Sequence, residues 1–321
     1  MTPDLRLPLD LTEQRMSTAD GRGLHAVIAG TGADLVVLEA GLGAGALSWG
    51  PVMERLAPHT RVIAYDRAGY GSSDADSRPR DLSRLADDLL GVIEAVEHRR
   101  VVLVGHSWGG PIVRLAAARL LRANPAVAER APDHVPITTG PADPGDPAGP
   151  GAPADPGEHL AGVVLVDPSD EHAELYFSQA MRILDAVQGP LLEGLARRGL
   201  LRPLLRLQAA ELPEPYRSCA ADAVSTSRAA RAMRAETAHV VRGLRSLRLD
   251  PLSLDRVPLT VITGRHAGRG ERTVRDQLSA AHAATTRSHR DARYVEAHRS
   301  GHLVPFTEPD LIVEEILARL R

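Results

Sequence analysis

Short apolar runs recur along the chain: LVVLE at 35–39, RVIAYD at 61–66, VVLVG at 101–105, GVVLVD at 162–167 and PLTVITG at 258–264. A run apolar at nearly every position has no solvent face, so each predicts a strand buried on both sides. ARYVEA at 292–297 predicts a last strand, and residues 15–29 predict one or two more around a turn at Asp20-Gly21. Between the strands the period lengthens. Leu82, Leu85, Leu89, Val92, Ile93 and Val96 share one face of a helix over 82–97, and Ile312, Ile316 and Leu320 share one over 309–320. A short helix is expected from Ser48 to Leu56, and an alanine- and leucine-rich one from Trp108 to Arg122. Strands alternating with helices predict the α/β class, with a mostly parallel, doubly wound sheet.

Two stretches depart from this alternation. Residues 124–159 hold nine prolines and five glycines, and no helix or ladder runs through such spacing; a flexible, loosely polyproline II insertion is expected. Residues 170–250 read as almost wholly helical, with breaks near Gly189-Pro190, Pro203 and Pro213–Pro215.

Composition narrows the choices. With 43% hydrophobic and 25% charged residues, the chain is an ordinary globular one, and its 321 residues suggest about two domains. A net charge of −3 argues against a dominant nucleic-acid surface. The 38 basic residues are all arginine, and those in 265–299 are interspersed with Glu271, Asp276, Asp291 and Glu296, which predicts a solvated face. The single cysteine, Cys219, excludes an internal disulfide and a cysteine-only metal site, and no H-E-x-x-H spacing supports a metal. The first residues lack the apolar run of a signal peptide, and no stretch approaches the ~18 apolar residues of a membrane span. A soluble, cytoplasmic protein with no membrane, nucleic-acid or cofactor requirement is expected; its oligomeric state is open.

Gly105-His106-Ser107-Trp108-Gly109-Gly110 follows a predicted strand and precedes a predicted helix. It fits G-x-S-x-G in the strand–turn–helix setting that makes a serine a nucleophile rather than a turn residue. Ser107 projects from the turn, and the N–H of Trp108 points toward the same place, aided by the helix N-terminus. Serine needs a neighbouring base, and His302, after the last strand, suits the chain order Ser…Asp/Glu…His; His298 is the nearest competitor. The acid belongs at the end of a strand after that of Ser107. In most enzymes of this order that strand is the one that here is PLTVITG, but Arg265 to Gly270 contain no acid and Glu271 is the first carboxylate. The preceding strand ends in Asp167-Pro168. Asp167 is the favoured acid, with Asp170 and Glu271 as alternatives.

LEAGLG (38–43), DRAGYGSSD (66–74), GHSWGG (105–110), VVLVDP (163–168) and SGHLVPFTEPD (300–310), in this order, resemble the α/β-hydrolase family over nearly the whole chain outside 124–159. The resemblance implies an eight-stranded sheet, a core of 1–169 and 251–321, and a helical cap at 170–250. It also implies an oxyanion hole whose second donor, beside Trp108, is the N–H of Leu42. Where the family often has His-Gly, this chain has Ala40-Gly41. Some members carry the acid after the earlier strand, as Asp167 would. The dehalogenase and epoxide hydrolase branches place aspartate where Ser107 stands. A serine hydrolase acting on a carboxylic ester or related acyl substrate is expected, without cofactor or metal. Two alternatives remain. One is a ligand-binding protein of the same fold, motivated by the missing acid after PLTVITG. The other is a dinucleotide site on Gly41, Gly43 and Ala46, with Asp66 ending the next strand, which leaves Ser107 and His302 unexplained.

Overall fold

The computed structural model describes residues 9–123, 160–268 and 270–321. Its eight strands are β1 (Thr12–Ser17), β2 (Gly23–Ala29), β3 (Asp34–Glu39), β4 (Arg61–Tyr65), β5 (Arg100–His106), β6 (Leu160–Val166), β7 (Leu259–Gly264) and β8 (Ala292–Ala297). They form one mixed sheet in the order β1-β2-β4-β3-β5-β6-β7-β8. Strands β3 to β8 pair parallel, while β2 is antiparallel to both β1 and β4. The helices are α1 (Gly50–Leu56), α2 (Leu82–Glu94), α3 (Gly109–Ala123), α4 (Gln179–Arg197), α5 (Leu201–Gln208), α6 (Tyr216–Val224), α7 (Ser227–Leu249), α8 (Arg272–Arg287), α9 (Val304–Thr307) and α10 (Pro309–Leu320).

The strand runs are apolar throughout because each central strand feeds two cores. Leu35, Val37, Leu103, Val163 and Leu165 join Leu85 and Leu89 of α2 and Ile112 and Ala116 of α3. Their neighbours Val36, Leu38, Val102, Val104, Val164 and Val166 join Val52 and Met53 of α1 and Ile312 and Ile316 of α10. Side chains alternate across a strand, so consecutive residues divide between the two faces. Helix α2 starts at Leu82 because the Asp81 carboxylate caps it, accepting the Arg84 N–H at 2.9 Å.

The sequence expectations need three adjustments. The helix expected from Ser48 begins earlier, as a 3-10 turn at Ala46–Trp49 that leads into α1. Pro203 falls in the first turn of α5, where its missing N–H has no intrahelical partner to lose, so the break precedes it. The break expected at Gly189-Pro190 does not occur, and α4 runs through Pro190. Packing against α7 offsets the lost hydrogen bond, and Gly189 permits it: a Cβ there would lie 2.9 Å from Cγ of Arg234. The proline-rich stretch 124–159 lies outside the described residues. Among the described residues no helix is long and apolar enough to cross a membrane.

Candidate functional site

Strand β5 ends at His106 and α3 starts at Gly109, leaving Ser107 and Trp108 to make the turn. Ser107 sits at φ 53° and Asp167, just past β6, at φ 42°. Among the described residues these are the only non-glycines at positive φ. Such backbone costs roughly 1–3 kcal/mol per residue and persists where surrounding structure enforces it. Here neighbouring main chain does so. A Cβ at Gly105 would lie 2.4 Å from the Gly109 carbonyl oxygen, and one at Gly109 would lie 2.4 Å from that of Glu39. The glycines flanking Ser107 are therefore fixed by the approach of backbone to backbone. The Ser107 carbonyl accepts the N–H groups of Gly110 at 3.0 Å and Ser169 at 2.9 Å, which ties the turn to the segment after Asp167.

The Asp167 side chain is buried, and its Oδ2 accepts from His302 Nδ1 at 2.7 Å. Its Oδ1 accepts the Gly264 N–H, at the end of β7, at 3.0 Å and Arg275 Nη1 at 2.8 Å. Burial alone would raise this carboxyl, but the His302 hydrogen bond and charge, together with His282 and Arg275, hold it well below the usual range. His302 rides on the loop between β8 and α9, which Glu308 holds by accepting the Arg299 N–H at 2.9 Å and the Ser300 hydroxyl at 2.6 Å. Beneath it, His106 Nε2 donates to the His302 carbonyl at 2.8 Å. Burial, and then the nearby His302, push His106 down to about 3, so it is a neutral donor.

The other candidates have different partners. Asp170 accepts from Thr285 at 2.6 Å and faces His172 at 3.0 Å. Glu271 accepts the Gly268 N–H at 3.0 Å, three residues back along the chain. His298 is exposed, with Glu296 3.8 Å away. Of the three acids and two histidines considered, the structure joins Asp167 to His302. Asp170, Glu171 and His172 bring potential ligand atoms within 4.8 Å of one another. Both Glu171 oxygens already meet Arg114 at 2.7 Å, however, so this group fits an ion pair better than a metal site.

Two cavities meet at Ser107. One, of about 180 Å³, runs from the Gly41–Gly45 loop past Ser107 and His302 to Leu205, Ala221 and Val224. The other, of about 210 Å³, runs from Leu42, Ser107 and His302 to Tyr176, Met181 and Val240. Among the described residues, no Asp, Glu or Arg side chain lines either one. Among the described residues, the N–H groups of Leu42 and Trp108 make no backbone hydrogen bond. The glycine loop is not shaped for a dinucleotide. Asp66 turns back into it and accepts the Ala46 N–H at 2.8 Å, so a carboxylate occupies the position from which a pyrophosphate would draw its donors.

Sequence reasoning missed four charged residues around the site. Arg275 belongs to the stretch expected to be a solvated face, yet it is buried against Asp167. Arg67, Glu39 and Glu236 are buried together beneath the glycine loop. A signal existed for Arg67 and Glu39, which lie within the DRAGYGSSD and LEAGLG segments.

The profile of the Alpha/beta hydrolase family matches residues 35–315. A carbamate hydrolase named RutD from Azorhizobium caulinodans is 39% identical over 90 residues, which is 27% of this chain and 34% of that protein. Epoxide hydrolase A of Mycobacterium tuberculosis is 38% identical over 107 residues, 31% of this chain and 32% of that protein. The chain thus matches about a third of the length of these curated relatives. Among solved structures, the epoxide hydrolase CorEH superposes with a TM-score of 0.64 at 18% identity, covering 97% of this chain and all of that one. At that identity the likeness speaks for the fold alone.

Proposed function

The chain belongs to the alpha/beta hydrolase family, and from that premise we propose that it is a serine hydrolase acting on a small, uncharged carboxylic ester or related acyl compound. One observation carries the reading. Ser107 and His302 both line the two cavities, and Asp167, in left-handed backbone at a strand end like Ser107, holds His302 at Nδ1. Ser107 Oγ attacks the carbonyl carbon while His302 Nε2 takes its proton. Asp167, ionised at neutral pH, holds Nδ1–H and stabilises the imidazolium that forms. The N–H groups of Leu42 and Trp108 receive the oxyanion. His302 then protonates the leaving group, activates water and restores Ser107. No resident cofactor or metal has a step in this sequence.

Helices α4 to α7 act as a cap that completes both cavities and sets the substrate. Each cavity is close to the ~150 Å³ that holds a benzene ring, so each side of the scissile bond carries a group of about that size. The described walls carry no Asp, Glu or Arg side chain, which favours neutral groups. Carbamates belong in the same screen, because a relative is named for them. Epoxide opening is disfavoured, since serine stands where the resemblance implies that branch carries aspartate. The ligand-binding alternative arose from the missing acid after PLTVITG, and Asp167 meets His302 from the neighbouring strand instead.

The test is labelling by a fluorophosphonate followed by peptide mapping. The expected result is one adduct on Ser107, lost in Ser107→Ala, with turnover of chromogenic esters of short acyl and alcohol groups. Absence of both from the folded wild-type protein rejects the reading.

A further inference from the structure

We propose that Arg67 and Glu236 are positioning residues for the oxyanion hole: Arg67 grips the carbonyl of the Gly41–Leu42 peptide and so aims its N–H, while Glu236 fixes the guanidinium from α7. This rests on the serine-hydrolase reading of the site. The Arg67 side chain is 1% exposed and the Glu236 side chain 0%. Nη2 of Arg67 donates to the Gly41 carbonyl at 2.8 Å, and Nη1 donates to the Ala40 carbonyl at 2.7 Å. The Gly41 carbonyl and the Leu42 N–H belong to one planar, trans peptide, and they point in opposite directions. Fixing the oxygen therefore fixes the direction of the N–H. The Ala44 N–H holds the same carbonyl at 3.2 Å. The loop itself lies close to the nucleophile, since a Cβ at Gly41 would come within 3.2 Å of Ser107 Cβ.

Glu236 supplies the other half of the grip. Its Oε2 accepts Arg67 Nη2 at 2.9 Å and its Oε1 accepts Arg67 Nε at 3.1 Å, while Arg80 Nη2 binds Oε1 at 2.8 Å. A buried ion pair is a poor source of net stability compared with apolar packing, but a bidentate guanidinium–carboxylate fork sets direction closely. The same helix presents Thr237, Val240 and Val241 to the second cavity. One helix thus carries both a wall of the substrate site and the anchor of the oxyanion loop.

The experiment compares an ester with its thionoester, whose sulfur is a weak hydrogen-bond acceptor, in wild type, Arg67→Lys and Glu236→Gln. In the variants kcat on the ester is expected to fall ten- to a hundredfold with KM within about twofold, on the order of a weakened oxyanion donor. The thionoester rate falls less, so the ester-to-thionoester ratio drops about tenfold. Loss in equal proportion on both substrates would mark a merely structural role, and unchanged kcat would remove the role altogether; either overturns the proposal. Thermal unfolding checks each variant, and if Arg67→Lys does not fold, Glu236→Gln decides by the same criteria. If wild type takes no fluorophosphonate and turns over no ester, the hydrolase reading fails and this inference falls with it.

Discussion

Asp167, just past β6, and Glu39, the last residue of β3, are two carboxylates at strand ends, 1% and 0% exposed, each bonded to a buried arginine. Their protonation is nonetheless pushed in opposite directions. Asp167 gathers His302, Arg275 and the Gly264 N–H. Against its burial, His302 first and then His282 and Arg275 hold it well below the usual range. Glu39 has the Tyr65 hydroxyl and one nitrogen of Arg67, a cation it shares with Glu236. Burial pushes Glu39 up, Arg67 and Tyr65 oppose it, and the charge on Glu236 adds to the rise. Burial is equal in the two places, so the number of donors per carboxylate decides the sign. The site with donors to spare keeps a permanent anion beside His302, and the site that shares its donors holds a loop in place.

The largest expected effect separates the two acids by function. Asp167→Asn lowers kcat on a small ester by about 10⁴, the scale seen when a triad acid loses its charge. Glu39→Gln, away from the reacting atoms, lowers it less than tenfold. Steady-state kinetics on both variants checks this, and comparable losses would erase the distinction. Next in size is Arg275→Met, which leaves Asp167 without its cation. Breaking a buried pair on one side costs about 3–5 kcal/mol in denaturant unfolding. A loss below about 1 kcal/mol would mean that His302 and Gly264 suffice to hold the charge.

Most of the sheet was legible in the sequence, because each central strand feeds two cores and so has no polar face to confuse the reading. The turn at Ser107 was legible because backbone contacts demand glycine at 105 and 109. Asp167 could be favoured because it ends a strand; that its carboxylate meets His302 while Asp170 and Glu271 meet other groups shows only in three dimensions. The arginines' partners were not legible. Arg275 meets one 108 residues away and nothing local distinguishes it from arginines that face water, while Arg67 sits in a recognisable segment that does not reveal its partner 169 residues away. The continuity of α4 was hidden for the same reason: Pro190 is a local signal, and the packing of α7 that overrides it is not.

Buried titration also separates His106 from the acids. Its folded value of about 3 lies below its ordinary 6.5, so the unfolded chain takes up the proton first as pH falls. Stability is full above about 6.5 and declines toward 3, at up to about 1.4 kcal/mol per pH unit. His106→Gln, which keeps a donor for the His302 carbonyl, is expected to flatten that slope between pH 6.5 and 4.5 in urea unfolding. An unchanged slope would assign the acid sensitivity to other groups.

The smallest effect tests the sign at Glu39 itself. Its folded value is raised above the ordinary 4.5, so the folded state holds the proton more tightly than the unfolded chain. The stability this contributes is present below 4.5 and is lost as pH rises through the folded value. Asp167 behaves in reverse: its contribution is present above the ordinary 3.8 and is lost as pH falls. Glu39→Gln removes one titration and leaves the other. Its stability relative to wild type should therefore improve between pH 4 and 7. Asp167→Asn should show no such gain over that range, since both states of the wild-type Asp167 are essentially ionised at its upper end. Urea unfolding at the two pH values reads the difference. A Glu39→Gln variant that loses ground as pH rises would mean that Arg67 serves Glu39 as fully as Arg275 serves Asp167, and the contrast between the two strand ends would reduce to their distance from His302.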